Sequence, residues 1–206
     1  MNDPVAIEMA NRADLRCIFQ FDSDGIRKLV QRGGVTSFDD LVAYTAIFRP
    51  GPLNLGMDAR YCKRKKGEEE YFLHPLIEPI LGRTYGVMIY QEQVMQISRD
   101  VCGFTGGEAD TLRKAIGKKK LDVMEKMKIN FVDGAVANGG PQNVIEKFWK
   151  GLLGFADYCF NKSHSACYGL ISYWTAYLKA HYPDAFMAAL MTSDADDIDR
   201  LAIEIN

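Results

Sequence analysis

The chain has 206 residues, 48% of them hydrophobic and 25% charged, with 25 basic against 27 acidic side chains. That balance supports one or at most two compact units with a sizeable core and excludes a wholly disordered chain. No apolar stretch approaches the roughly 18–20 residues of a membrane span, and the opening segment lacks a basic start followed by an apolar run, so neither a secreted nor a membrane-spanning protein is expected.

The predicted elements are mostly helical. Ser37 caps a helix whose N3 residue is Asp40 and whose less polar face is Phe38, Leu41, Val42 and Thr45. Arg49-Pro50-Gly51-Pro52 ends it, because proline lacks a backbone donor and pushes the residue before it out of the helical region; a rigid, non-helical corner is expected, with Arg49 at its entrance. Residues 60–79 read as a surface excursion. Val87-Met88-Ile89-Tyr90 is a short apolar run suited to a strand, after which Val94, Met95, Ile97 and Val101 follow the helical period from Glu92 onward. Another helix begins near Glu108 and is weakened by Gly117. Pro141 fits the first turn of a helix bearing Val144, Ile145, Phe148, Trp149, Leu152 and Leu153, with Gly154 at its stop. Asn161 or Ser163 caps the next helix, roughly Ser165 to Ala180, whose crowded face includes Tyr168, Ile171, Trp174, Tyr177 and Leu178. Pro183 opens a short helix carrying Phe186, Met187, Leu190 and Met191. The expected fold is therefore mainly α-helical with short β segments, without repeats and without a visible domain break.

Charge is distributed unevenly along this frame. Between Leu112 and Lys128 seven basic residues (Arg113, Lys114, Lys118, Lys119, Lys120, Lys126 and Lys128) face only Asp122 and Glu125. Concentrated cations of this kind bind phosphate, and arginine adds a planar fork for two oxygens; a solvated helical face is the other reading. The segment is not a Walker loop, because Leu112 stands where its first glycine belongs. A second cluster runs from Tyr158 to Tyr168. There Lys162 and His164 suit a phosphate, Phe160 or Tyr158 a base face, Asn161 a base edge, and a helix start would add unpaired backbone N–H groups. The alternative is a capped helix start with its polar groups satisfied. A hydrolytic Ser163–His164–Ser165 site is disfavoured, since adjacent residues in one helical start do not align as nucleophile and base. The acidic residues offer no metal cage: Asp194, Asp196 and Asp197 open a calcium-loop-like string, but no central glycine follows and Ile205 stands at its closing position. Glu92 reads as a polar helix-start residue. The five cysteines, Cys17, Cys62, Cys102, Cys159 and Cys167, are odd in number and lack zinc-ligand spacing, which suits reduced thiols in the cytosol.

Five blocks carry a resemblance: Ile18 to Val30, Phe38 to Leu53, Tyr85 to Ile97, Gly106 to Lys120, and Phe160 to Asp194. In order and content they resemble the bacterial replicative C-family DNA polymerases, the DNA polymerase III alpha subunits. The resemblance implies a DNA-directed DNA polymerase with palm, fingers and thumb, in which residues 1–206 form part of the fingers and the palm aspartates that hold two magnesium ions lie upstream of Met1. No tightly bound cofactor is expected on this chain, and the chain alone is expected to be inactive. By the same resemblance Arg113 falls on the first arginine of a pair that holds the β or γ phosphate of the incoming deoxynucleotide. Lys114 replaces the second arginine and loses its fork. Lys118 and Lys119 add positive field along the triphosphate or template path. Phe160, Asn161, Lys162, Ser163 and His164 match the nucleotide-facing motif, while Arg49 and Lys120 belong to the cleft or a DNA contact. The implied partners are template–primer DNA, deoxynucleoside triphosphates, the remaining polymerase domains and other replisome subunits, in the bacterial cytoplasm and away from membranes. The alternative function is a noncatalytic module that binds nucleic acid or organises a replication complex.

Overall fold

In the computed structural model, residues 1–155 and 158–205 are described, and among them the secondary structure is helical throughout apart from one isolated parallel bridge between Tyr90 and Phe160. The chain divides into two compact units, one formed by Met1–Phe48 with Ser163–Asn206 and the other by Arg49–Lys162.

The first unit starts with α1 (Pro4–Asn11), where Asp3 caps the helix by accepting from the Ala6 N–H at 2.9 Å and Pro4 occupies the first turn. Helix α2 (Asp24–Gly33) buries Ile26, Leu29 and Val30, and Gly34 ends it with a φ of 69°. At α3 (Phe38–Ile47) the reciprocal half of the expected box is made: the buried Asp40 carboxylate accepts from the Ser37 N–H at 3.2 Å and also from the Thr36 N–H at 2.7 Å. The last three helices are α11 (Lys162–His181), α12 (Pro183–Ser193) and α13 (Ile198–Ile205). Helix α11 corrects the expected crowded face. Its buried residues are Ser165, Gly169, Ser172 and Ala176, whereas Trp174 is 54% exposed and Ile171 and Leu178 also face solvent. Small side chains let the helix approach closely, since a β-carbon on Gly169 would stand 3.1 Å from Val42 Cγ2.

The second unit contains α4 (Pro50–Asn54), α5 (Met57–Lys65), α6 (Glu78–Leu81), α7 (Gln91–Asp100), α8 (Gly106–Gly117), α9 (Leu121–Ala137) and α10 (Gln142–Phe155). Helices α7 to α10 pack in succession around Val94, Ile97, Leu112, Ile116, Phe131, Ile145, Trp149 and Leu152. Phe131 anchors this core, with its ring centroid 4.9 Å from that of Trp149. The expected non-helical corner at Arg49 is instead the start of α4: Pro50 occupies its first turn, where no backbone donor is required. Helix α10 continues through Gly154 to Phe155.

The strand expected at Val87–Tyr90 does not form, and Gln93 supplies the reason. Its buried side-chain oxygen accepts from the Ile89 and Tyr90 N–H groups at 2.8 and 3.0 Å, occupying two donors that a strand ladder would use. Helix α8 has a complete capping box that the sequence reading missed: the Thr105 N–H donates to Glu108 Oε2 at 2.8 Å, and the Glu108 N–H donates back to Thr105 Oγ1 at 3.3 Å. Its other end falls at Gly117, the expected weak point, with Lys118 as the C-cap. There the Lys119 N–H donates to the Ile116 carbonyl and the Lys120 N–H to the Ala115 carbonyl, closing a Schellman turn. Lys119 takes the left-handed position of that turn, with a φ of 53°, where glycine is usual.

Candidate nucleotide-facing site

The site in the second unit forms where the start of α7 meets residues 158–162. The Phe160 N–H donates to the Ile89 carbonyl at 3.0 Å, and the Gln91 N–H donates to the Phe160 carbonyl at 2.9 Å. Glu92 extends this seam with its side chain. One carboxylate oxygen accepts from Asn161 Nδ2 at 3.1 Å and the other from the Lys162 N–H at 2.9 Å. A carboxylate is therefore seated at the first residue of α11, on a backbone donor of the helix start expected either to face a phosphate or to be satisfied within the protein, and the helix dipole favours it there. The Lys162 ammonium lies 5.4 Å from the centre of the Tyr90 ring.

Arg49 contacts the same segment. Its Nη2 donates to the Tyr158 carbonyl at 2.9 Å, and its guanidinium carbon lies 4.4 Å from the centre of the Phe160 ring. Burial lowers its pKa below the usual arginine value. These contacts support the backbone and aromatic ring of the predicted motif from within the protein. Gly51 makes room for this arrangement, because a β-carbon there would stand 2.2 Å from Tyr158 Cδ1. Burial also pushes the Cys159 thiol up to about 12, with the Glu92 carboxylate adding to the rise and Arg49 opposing it.

Arg113 reaches the seam from α8. Its Nε and Nη2 donate to Asp110 Oδ1 at 2.9 and 2.7 Å, and its Nη1 donates to Gln91 Oε1 at 3.2 Å. Lys114 also pairs with Asp110, at 2.6 Å. Hydrogen bonds from Lys114 and then Arg113 hold the Asp110 carboxyl below the ordinary aspartate range. Gln91, Val94, Arg113, Ile116, Gly117 and Cys159 line a cleft of about 10 Å³, too small for anything beyond a water-sized occupant. A larger anion would have to lie over the solvent-facing side of Arg113. A separate open groove of about 900 Å³, lined among others by Leu55, Phe72 and Phe148, contains none of the predicted site residues.

The structure thus brings together Arg49, Arg113, Phe160, Asn161 and Lys162. Lys118, Lys119 and Lys120 are exposed at the turn after α8. Ser163 and His164 belong to the first unit, where the His164 ring stacks on Tyr168 with centroids 4.2 Å apart. Gln91, Glu92 and Asp110 were not assigned to the site from sequence; the polar pair directly after the apolar Ile89-Tyr90 step was the available signal. Among the described residues there is no group of three or more His, Cys, Asp or Glu that could hold a metal ion. No helix among them is long and apolar enough to cross a membrane.

In this mainly helical chain Arg49, Arg113 and Lys162 meet beside the start of α7, and Lys118, Lys119 and Lys120 follow the end of α8. The chain belongs to the bacterial DNA polymerase III alpha subunit finger domain family, whose model matches residues 1–139. It is 50% identical over 198 residues to DNA polymerase III subunit alpha of Aquifex aeolicus (strain VF5), which covers 96% of this chain and 17% of that protein. Identity to DNA polymerase III subunit alpha of Mycobacterium tuberculosis (strain CDC 1551 / Oshkosh) is 44% over 208 residues, covering 98% of this chain and 18% of that protein. A similar level, 44% over 201 residues, relates it to DNA polymerase III subunit alpha of Neisseria meningitidis serogroup B (strain ATCC BAA-335 / MC58). The chain therefore spans less than a fifth of the length of these relatives.

Proposed function

We propose that this chain is the finger region of a bacterial DNA-directed DNA polymerase and that it holds the triphosphate of the incoming deoxynucleotide beside template–primer DNA. The observation that carries this reading is the seam at the start of α7, which joins Arg113 to the Phe160–Lys162 segment. Arg113 offers a guanidinium to the β or γ phosphate, and Lys114 and Lys118–Lys120 add positive field from the same helix end. Phe160 and Asn161 shape the base and sugar pocket, and Ser163 and His164 continue that segment into the first turn of α11. In this role the cations offset negative charge on the departing pyrophosphate. Activation of the primer 3′-oxygen and the magnesium ions belong to carboxylates outside this chain, so the chain alone does not extend a primer. The working partners are the other polymerase domains and replisome subunits, in the bacterial cytoplasm.

Arg113→Ala in the complete polymerase tests the reading. Losing a preorganised cation at a charged group in the transition state costs roughly 10²-fold in kcat/KM for nucleotide incorporation. Thermal stability and primer–template affinity should change little, since the Arg113–Asp110 pair is a partly exposed helix-surface contact. Unchanged single-nucleotide kinetics in the folded variant would remove Arg113 from this role.

A further inference from the structure

Gln91, the first residue of α7, is fixed through its backbone because its N–H donates to the Phe160 carbonyl at 2.9 Å. Its side chain then reaches in two directions. Oε1 accepts from Arg113 Nη1 at 3.2 Å, and Nε2 makes a long contact of 3.4 Å with the Cys159 carbonyl. Guanidinium groups only donate and carbonyls only accept, so the two ends of the amide cannot be exchanged here. Asp110 holds Nε and Nη2 of the same guanidinium. The arginine is thus held from two sides, by a carboxylate and by a neutral amide.

These two holders differ in what they do to an approaching phosphate. The Asp110 carboxylate repels it and competes for the guanidinium, whereas Gln91 adds no charge. A flexible arginine that is already ordered loses less entropy when it binds. Because Gln91 also touches the backbone of residues 159 and 160, the position of the guanidinium is tied to the segment that carries the Phe160 ring.

We infer that Gln91 is a positioning residue that couples the phosphate-directed Arg113 to the base-directed Phe160 segment, so that the two ends of a nucleotide are met in a fixed register. This rests on the proposed nucleotide-binding role of Arg113. The test is made in the complete polymerase with Gln91→Met, which keeps side-chain length and removes both polar contacts, with Arg113→Ala, and with the double variant. Nucleotide is titrated at saturating primer–template, and primer–template at saturating nucleotide.

Loss of one such hydrogen bond lowers kcat/KM for the nucleotide about fivefold in Gln91→Met. The KM for primer–template stays at its original value, which a loss of DNA binding would not produce, and the KM for the nucleotide rises, which a smaller fraction of folded enzyme would not produce. In the Arg113→Ala background the same substitution has little further effect, because the group it positions is gone. Original nucleotide kinetics in Gln91→Met, or an undiminished fivefold loss in the Arg113→Ala background, overturns the coupling. If Arg113→Ala itself leaves nucleotide kinetics unchanged, the reading of the whole site fails instead.

Discussion

Gly51→Ala probes the support beneath the Tyr158–Lys162 segment. A β-carbon at position 51 would stand 2.2 Å from Cδ1 and 2.3 Å from Cε1 of Tyr158. Carbon atoms pack best at about 3.5–4.0 Å, so the ring or α4 must retreat by more than an ångström. Overpacking of this kind costs about 1–3 kcal/mol, against a helix-propensity gain of at most about 1 kcal/mol in a helix of only five residues. A net loss of about 1–2 kcal/mol corresponds to a fall in Tm of roughly 3–6 °C for a chain of this size. Gly107→Ala is the matched control: a β-carbon in that first turn of α8 meets nothing within 4 Å, so Tm should hold or rise. Tyr158 also supplies the carbonyl that Arg49 holds, so Gly51→Ala should weaken nucleotide use by the complete polymerase as well as stability. In a Tyr158→Ala background the ring is absent and the alanine should cost almost nothing. Calorimetry of the four variants decides the matter. An undiminished cost in that background, or equal behaviour of Gly51→Ala and Gly107→Ala, refutes the reasoning.

Two further predictions follow from local conformation and burial. Lys119→Gly should raise Tm by roughly 2–4 °C, since glycine accepts the left-handed position at about 1 kcal/mol less cost than lysine, while triphosphate or DNA binding weakens; a lowered Tm would contradict the turn described after α8. The Cys102 and Cys159 thiols are both pushed up to about 12 by burial, so at pH 8 almost none of either is thiolate, whereas Cys167 is exposed. Iodoacetamide followed by mass spectrometry should label Cys167 first and leave Cys102 and Cys159 intact until the chain unfolds. Comparable labelling of Cys159 would show that its loop opens.

Helix positions were largely legible in the sequence because apolar periodicity and proline placement report local geometry directly. The cap at Ser37–Asp40 and the apolar stripe of α10 are examples. What the sequence hid was competition between side chains and backbone. Ile89 and Tyr90 look like a strand, yet Gln93, three residues after Tyr90, takes their donors. Helix α11 misled for the opposite reason: its bulky residues drew attention, while Ser165, Gly169, Ser172 and Ala176, spaced one turn apart, mark the face that packs. At the candidate site, Arg113, Phe160 and Lys162 were legible as residue types suited to a nucleotide. The groups that hold them, Gln91, Glu92 and Asp110, were not, because holding depends on contacts across more than 60 residues of chain for Glu92 and on rotamers that no spacing encodes.

The Schellman turn after α8 fixes three consecutive lysines through backbone bonds to Lys114, Ile116 and Ala115. Confining like charges in a small volume raises the free energy of the folded chain, and dissolved ions screen that repulsion within a Debye length of about 10 Å at 0.1 M. At this corner, added salt therefore steadies the native conformation even as it weakens attachment to any polyanion. The two responses have opposite signs in one and the same titration.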